Sequence, residues 1–243
     1  MTEIESAVSN HDYHYTKDPT TITKFLKTML WISLGVVVLS LLSDLMQMNL
    51  LSAGYFSQAE AESNDIRQRI IGVLYLVAFI ITGVTFLKWI YRANSNCHGF
   101  GVQGMKFTPG WSIGYYFIPI LNFFKPYQAM KEIWKVSENP DDWQNKKGSS
   151  LLGWWWALWL LSNFMSHIAF RMTMQANSIA SLQDSTTLSM IAGIVDIPSY
   201  LVAISLVSAI FAKQERLVRK RFYHDGLPDY SASVQYRGES IHE

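Results

Sequence analysis

The chain has 243 residues, of which 49% are apolar and only 16% charged, against about 25% charged in an average soluble domain. Its net charge of +1 excludes nucleic-acid binding driven by overall basicity. A single cysteine, Cys97, excludes a disulfide scaffold or a CxxC metal site.

The apolar residues are strongly segregated. Residues 1–24 form a polar leader, and 222–243 lack apolar periodicity and read as a flexible tail. Between them, residues 25–221 read as a membrane domain with four nearly charge-free stretches, at about 28–51, 70–90, 150–170 and 187–212. A hydrocarbon core about 30 Å thick needs roughly 20 helical residues, so each stretch is long enough to span it. The first stretch is too long for a signal peptide and follows a leader containing Glu3, Glu5, Asp12 and Asp18, so it reads as a retained helix.

A fifth uncharged stretch, 107–124, is interrupted by Pro109, Gly110, Gly114 and Pro119. Counting Lys and Arg decides how to treat it. With four spans and both termini cytoplasmic, 17 basic residues lie inside and 3 outside, a cleaner division than any five-span arrangement. The stretch therefore reads as re-entrant or interfacial from the cytoplasmic side. Irregular backbone at membrane depth needs protein or a water-filled cavity around it, which points to a homo-oligomer.

Pro126 opens an amphipathic helix at 126–137, placed on the cytoplasmic leaflet with Tyr127, Met130, Ile133 and Trp134 on one face. The last span runs into Lys213, Arg216, Arg219, Lys220 and Arg221. Such a cluster attracts anionic lipid headgroups, or serves only as a topology anchor. The expected fold is thus an all-α integral membrane protein: four transmembrane helices, a re-entrant or interfacial segment and a cytoplasmic amphipathic helix.

Ionisable residues inside a span cost about 2.5–3.5 kcal/mol near its centre, so each asks for a reason. Asp44, His167 and Asp196 fall in the outer half, with Asn163 one turn before His167 and Arg171 one turn after it. The plainest reading is a polar network in which His167 and Arg171 neutralise Asp44 or Asp196. An ion or proton pathway is the sharper one. Ser162, the nearest potential nucleophile, does not share a face with His167, so no catalytic residue is assigned. Pro198 beside Asp196 is expected to free carbonyls next to the carboxylate. WWWALW at 154–159 reads as a packing or anchoring face, and His11 and His14 as solvated. No nucleotide fingerprint, metal-ligand motif or cofactor site is present.

The central segment also carries a resemblance. Trp89, Arg92 and Asn96 in W-I-Y-R-A-N-S-N are followed by F-T-P-G-W with Thr108, Pro109 and Trp111. Then come F-I-P with Pro119, K-P-Y-Q with Lys125, Pro126 and Tyr127, and E-I-W with Glu132 and Trp134. This order resembles a bacterial multi-pass membrane family catalogued as domain of unknown function 4328, densely over about 50 residues. The resemblance implies a bacterial inner-membrane protein whose distinctive part faces the cytoplasm, and it implies no activity. The resulting expectation is an oligomeric channel- or transporter-like module for an ion or small ligand. The alternative is a scaffold or accessory subunit that binds lipids or a protein partner through its cytoplasmic face.

Overall fold

A computed structural model describes residues 13–224, with side chains through Arg219. Every regular element among them is helical. α1 (Thr20–Ser52) and α2 (Gln58–Gly99) form one antiparallel hairpin, and α5 (Ser150–Gln175) and α6 (Ile179–His224) form a second. Between the hairpins lie the short α3 (Pro109–Gly114), α4 (Lys125–Glu138) and three single 3₁₀ turns, two before α4 and one after it. At a rise of 1.5 Å per residue, the 33, 42 and 46 residues of α1, α2 and α6 are each about 50 Å long or more. These three helices are long and apolar enough to cross a membrane. The 26-residue α5 has the length but is diluted by Trp, Asn and His, and it falls short in composition.

The helix starts follow from local chemistry. Ser57 caps α2 through a reciprocal box with Glu60, and Ser149 and Thr108 cap α5 and α3. The Glu60 carboxyl is held below its usual range by the Ser57 backbone N–H and hydroxyl.

Around the bundle the helices are ordered α2, α1, α6, α5, and the ring closes where Phe86 meets Trp155 at 5.9 Å between centroids. α1 and α6 approach closely at Gly193, where a Cβ would lie 2.8 Å from Leu41 Cδ2. Residues 13–18, the segment 100–147, the start of α5 and the end of α6 all gather at one end, here termed the cap. Lys17 N–H bonds Asn96 Oδ1 there (3.0 Å), and Lys213 Nζ bonds Glu138 (3.1 Å). The opposite end joins α1 to the starts of α2 and α6: Gln47 Nε2 donates to Thr186 Oγ1 (2.7 Å), and Asn64 donates to Gln47 Oε1 (3.0 Å).

The observed layout revises several expectations. Residues 13–19 are no free leader, because they pack across the end of α2, and α1 already begins at Thr20. Residues 222–224 complete α6 rather than opening a tail; 225–243 and His11 lie outside the described residues. α4 does not rest on a leaflet. Met130, Ile133, Trp134 and Val136 belong to the same buried cluster as Trp89, Ile90, Leu206, Val207 and Ile210, so protein covers its apolar face. Its periodicity predicted that face and could not say what covers it.

Candidate functional site

The bundle interior contains polar residues at a fixed interval. On α2, Gln68, Tyr75, Thr82, Trp89 and Asn96 recur every seven residues, about 10.5 Å apart, and each makes a hydrogen bond. Seven residues are nearly two helical turns, so all five stay close to one inward face. Gln68 donates to Asp44 Oδ1 (3.3 Å), Thr82 Oγ1 pairs with Ser33 Oγ (2.8 Å), and Trp89 Nε1 donates to Thr23 Oγ1 (3.0 Å). Thr82 also reaches the Met29 carbonyl (3.4 Å).

Tyr75 is the exception in direction. It bypasses α1 and donates its hydroxyl to Asp196 Oδ2 on α6 (3.2 Å), a bond that crosses the interior. The other carboxylate oxygen, Oδ1, accepts from Ser162 Oγ of α5. Asp196 and Ser162 are each only 6% exposed, so this carboxylate is shielded from its surroundings. One helical turn further toward the cap on the same helix lies Tyr200, half-buried. Among the described residues no basic side chain contacts Asp196. A buried carboxylate without a countercharge is costly unless it is protonated or holds a cation.

Asp44 has different surroundings. Arg67 stands near it, its guanidinium anchored by Ser43 Oγ (3.1 Å) and Asn64 Oδ1. Asp44 thus has a guanidinium in its surroundings, which Asp196 lacks. His167 and Arg171 are exposed on α5 and make no hydrogen bond or ion pair among the described residues. The expected neutralising network of His167, Arg171 and the carboxylates is not formed. The reason is angular: successive helical residues are 100° apart, so Ser162 facing inward turns His167 well away. Asn163 donates back to the Trp159 carbonyl of its own helix (2.7 Å). Pro198 sits inside a continuous α6, and both it and Ile194, whose carbonyl it leaves unpaired, are exposed. They lie across the helix from Asp196, so the freed carbonyl does not join the site.

The motif residues of the central segment build the cap. Glu132, 6% exposed, accepts the backbone N–H groups of Lys106 (2.9 Å) and Phe107 (3.1 Å), while His98 bonds the Phe107 carbonyl (3.1 Å). Thr108 caps α3, Pro109 starts it, and Trp111 stacks obliquely on Tyr115 while 53% exposed. Lys125 Nζ lies over the rings of Phe107 and Tyr115, at 5.8 and 5.9 Å. Pro126 occupies the first turn of α4, with Tyr127 half-buried beside it. Arg92 donates to the Asp18 carbonyl (2.8 Å). Trp156 Nε1 holds the Phe123 carbonyl (2.8 Å), and Tyr116 meets the rings of Trp156 and Trp159 edge-on. Between these anchors Pro119 and Ile120 form an exposed tip, Ile120 at φ 69°, a strained value for a β-branched residue.

In the WWWALW run, Trp155 and Trp156 pack inward and Trp154 is 64% exposed, so it serves both packing and surface roles. Of the basic cluster, Lys213 pairs with Glu138 and lies 4.6 Å from the Trp134 ring centroid, and Arg219 pairs with Glu215. Arg216 is exposed; the side chains of Lys220 and Arg221 lie outside the described residues. Cys97 is fully buried among Ile133, Ser137 and Gln214, and burial pushes its thiol up to about 12. Among the described residues, no three His, Cys, Asp or Glu side chains gather as metal ligands.

Sequence reading singled out Asp196 and missed Tyr75, Tyr200, Ser33 and Thr82. It weighed the charged groups and His167 with their neighbours Ser162 and Asn163, whereas the seven-residue recurrence along α2 was available in the sequence. Fold and interior together define a class: an all-helical bundle with membrane-span-like helices and a buried polar centre. The chain belongs to the family described as Domain of unknown function (DUF4328), whose model matches residues 54–212. Comparison with curated proteins and with solved structures found no match. The family match covers α2 through most of α6, and so takes in segment 100–147 of the cap and the Asp196 centre, but not residues 13–18 or α1.

Proposed function

We propose that this protein is a multi-pass module of the bacterial inner membrane that binds and passes a cation at the Asp196 centre, working as a homo-oligomer. The observation that carries the reading is the buried Asp196 carboxylate. It is held by hydroxyls from two other helices and balanced by no basic side chain among the described residues.

Four spans fit the geometry. α5 starts at the cap, and α6 starts at the opposite end and returns, so α5 covers the same distance as a neighbour apolar enough to span. Its 26 residues extend about 39 Å, more than a hydrocarbon core requires. With the cap in the cytoplasm, both ends of the described chain and most of its basic residues are on that side. Segment 107–124 then lies as a shallow wedge at the inner interface, with Phe117, Ile120 and Phe123 at 61–73% exposure meeting lipid or a second subunit.

Flux of protons, sodium and potassium into proteoliposomes tests the reading. Asp196→Asn, which keeps the shape and removes the charge, is expected to abolish the flux while leaving the fold intact. Unchanged flux would remove the proposal. In its place would stand a scaffold that binds anionic lipid or a protein partner through Arg216 and the exposed aromatic rim. In that case Arg216→Glu releases the bound lipid or partner and alters no flux.

A further inference from the structure

We infer that the end of the bundle opposite the cap holds the headgroup of a zwitterionic phospholipid, its phosphate at Arg67 and its primary ammonium at Glu60. The inference rests on the membrane placement above and is independent of cation flux.

A cavity of about 460 Å³ lies between α1 and α2 at that end. Its lining includes Met46 and Leu50 of α1, and Glu60, Ser63, Asn64 and Arg67 of α2. Small-molecule sites measure about 300–1,000 Å³, so a polar headgroup has room here.

Arg67 is fixed before any ligand arrives. Its Nε donates to Ser43 Oγ (3.1 Å), and its Nη2 donates to the Ser43 carbonyl (3.4 Å) and to Asn64 Oδ1. Asn64, only 4% exposed, donates to Gln47 Oε1 (3.0 Å), and Gln47 donates to Thr186 Oγ1 of α6 (2.7 Å). Nη1 makes no hydrogen bond among the described residues, which leaves one arm of the guanidinium for an anion. Glu60 is placed in a similar way. The Ser57 N–H (2.7 Å) and hydroxyl (2.8 Å) both engage its Oε2, while its Oε1 accepts no bond among the described residues. A guanidinium suits phosphate, and one already held in position lowers the ordering cost of binding.

The two charges are seven residues apart on α2, about 10.5 Å along its axis and close to one face. No ion pair joins them. A ligand with a single charge would leave one of them unanswered, so the fit is to an anion and a cation in one molecule. Their order matters as much as their signs. Arg67 adjoins the charge-free stretch that begins at Ile70, and Glu60 lies two turns further out. In phosphatidylethanolamine the phosphate adjoins the acyl chains and the ammonium is outermost. The charges along α2 therefore repeat the order of that headgroup with opposite signs. Leu50 and Met46 extend the match. One turn apart on α1, they step from the cavity toward the apolar stretch, Met46 at 54% exposure, and give an acyl chain a strip to lie on. Free phosphoethanolamine would use the two charges and leave that strip bare.

Native mass spectrometry of the full-length protein in detergent tests the site, with dioleoyl phosphatidylethanolamine or dioleoyl phosphatidylglycerol added. The second lipid has the phosphate and no ammonium. Wild type is expected to retain the ethanolamine lipid about threefold more tightly, as an exposed charge pair allows. Glu60→Gln removes the charge and keeps a side chain able to cap α2, so it should bring the two affinities together. Arg67→Gln should weaken both lipids by about tenfold, as loss of a charge-assisted hydrogen bond does. Glu60 is exposed, so its variant reports on the site even if Arg67→Gln fails to fold. Equal retention of the two lipids by wild type, or a preference that survives Glu60→Gln, would overturn the proposal. Displacement of the lipid by free phosphoethanolamine at equal concentration would overturn the lipid as occupant. Asp196→Asn is expected to leave lipid retention at the wild-type level even where it abolishes flux, so the two readings fail separately.

Discussion

Trp89 and Phe79 lie on the same helix, ten residues apart, yet one is 1% exposed and the other 48%. The contrast holds throughout the two regions to which they belong. At the cap, α2, α4 and α6 bury Trp89, Ile90, Cys97, Met130, Ile133, Leu206, Val207 and Ile210 into one cluster. Along the apolar stretches the interior is thin: 11% of the most apolar window of α2 is buried, and 28% for α6. On the membrane placement proposed above, the difference follows from the solvent each region meets. Water drives apolar side chains together, at about 25 cal/mol per Å² removed from contact with it. Lipid tails supply no such drive, so helices there associate through close approach at small residues and through hydrogen bonds. Gly193 against Leu41 is the first kind of contact, and the recurring polar residues of α2 are the second.

Breaking one anchor at the cap should have the largest effect. Glu132→Ala leaves the buried Phe107 N–H and the part-buried Lys106 N–H without their charged acceptor. The expected loss is about 3 kcal/mol, since hydrogen bonds to charged groups contribute roughly 1.5–3 kcal/mol and a cavity adds to that. Glu132→Gln should recover part of it, as read by thermal unfolding in nanodiscs.

A matched pair of deletions sharpens the comparison. Gln214 donates to the Ala93 carbonyl, Ser137 Oγ and Cys97 Sγ while 1% exposed, so Gln214→Leu should cost about 2 kcal/mol. Thr82→Val removes the Ser33 contact within the apolar stretch, where such bonds average about 0.6 kcal/mol. Equal losses in equilibrium unfolding would show that the two regions are not held differently.

The smallest effect concerns Cys97. Burial raises its thiol to about 12, so the folded protein keeps the proton where an unfolded chain, with an ordinary thiol near 9, gives it up. Stability from this group is therefore complete below about pH 9 and declines from there toward pH 12. Maleimide labelling should stay slow in the native protein from pH 7 to 9 and become fast only on denaturation.

How much of this was legible in the sequence differs between the same regions. Three of the four apolar stretches visible in the sequence lie in α1, α2 and α6, which are long and apolar enough to cross a membrane; the fourth lies in α5, which has the length and falls short in composition. The face of α4 was visible in the spacing of Met130, Ile133 and Trp134, but its covering came from α2 and α6, which are remote in sequence. At the site, Asp196 stood out as a charge in an apolar run. Its partners did not, since Tyr75 and Ser162 are ordinary in a span and which helices neighbour each other is settled only by packing. His167 was misjudged for a simpler reason. Depth along a helix can be read from the count of residues, whereas facing depends on a rotation that only Ser162 and its contact with Asp196 fixed.

The strap at residues 13–18 has a consequence for how the molecule is completed. Gly99 leaves room for Thr16, whose hydroxyl would otherwise collide with a side chain, and Tyr15 lies near the charges of Glu215 and Arg219. The strap's docking surface thus combines the end of α2 with the end of α6. A ribosome makes the strap before either surface exists and delivers the α6 part nearly two hundred residues later. The earliest described stretch of chain is consequently among the last to dock, a latch that closes once all the long helices are in place.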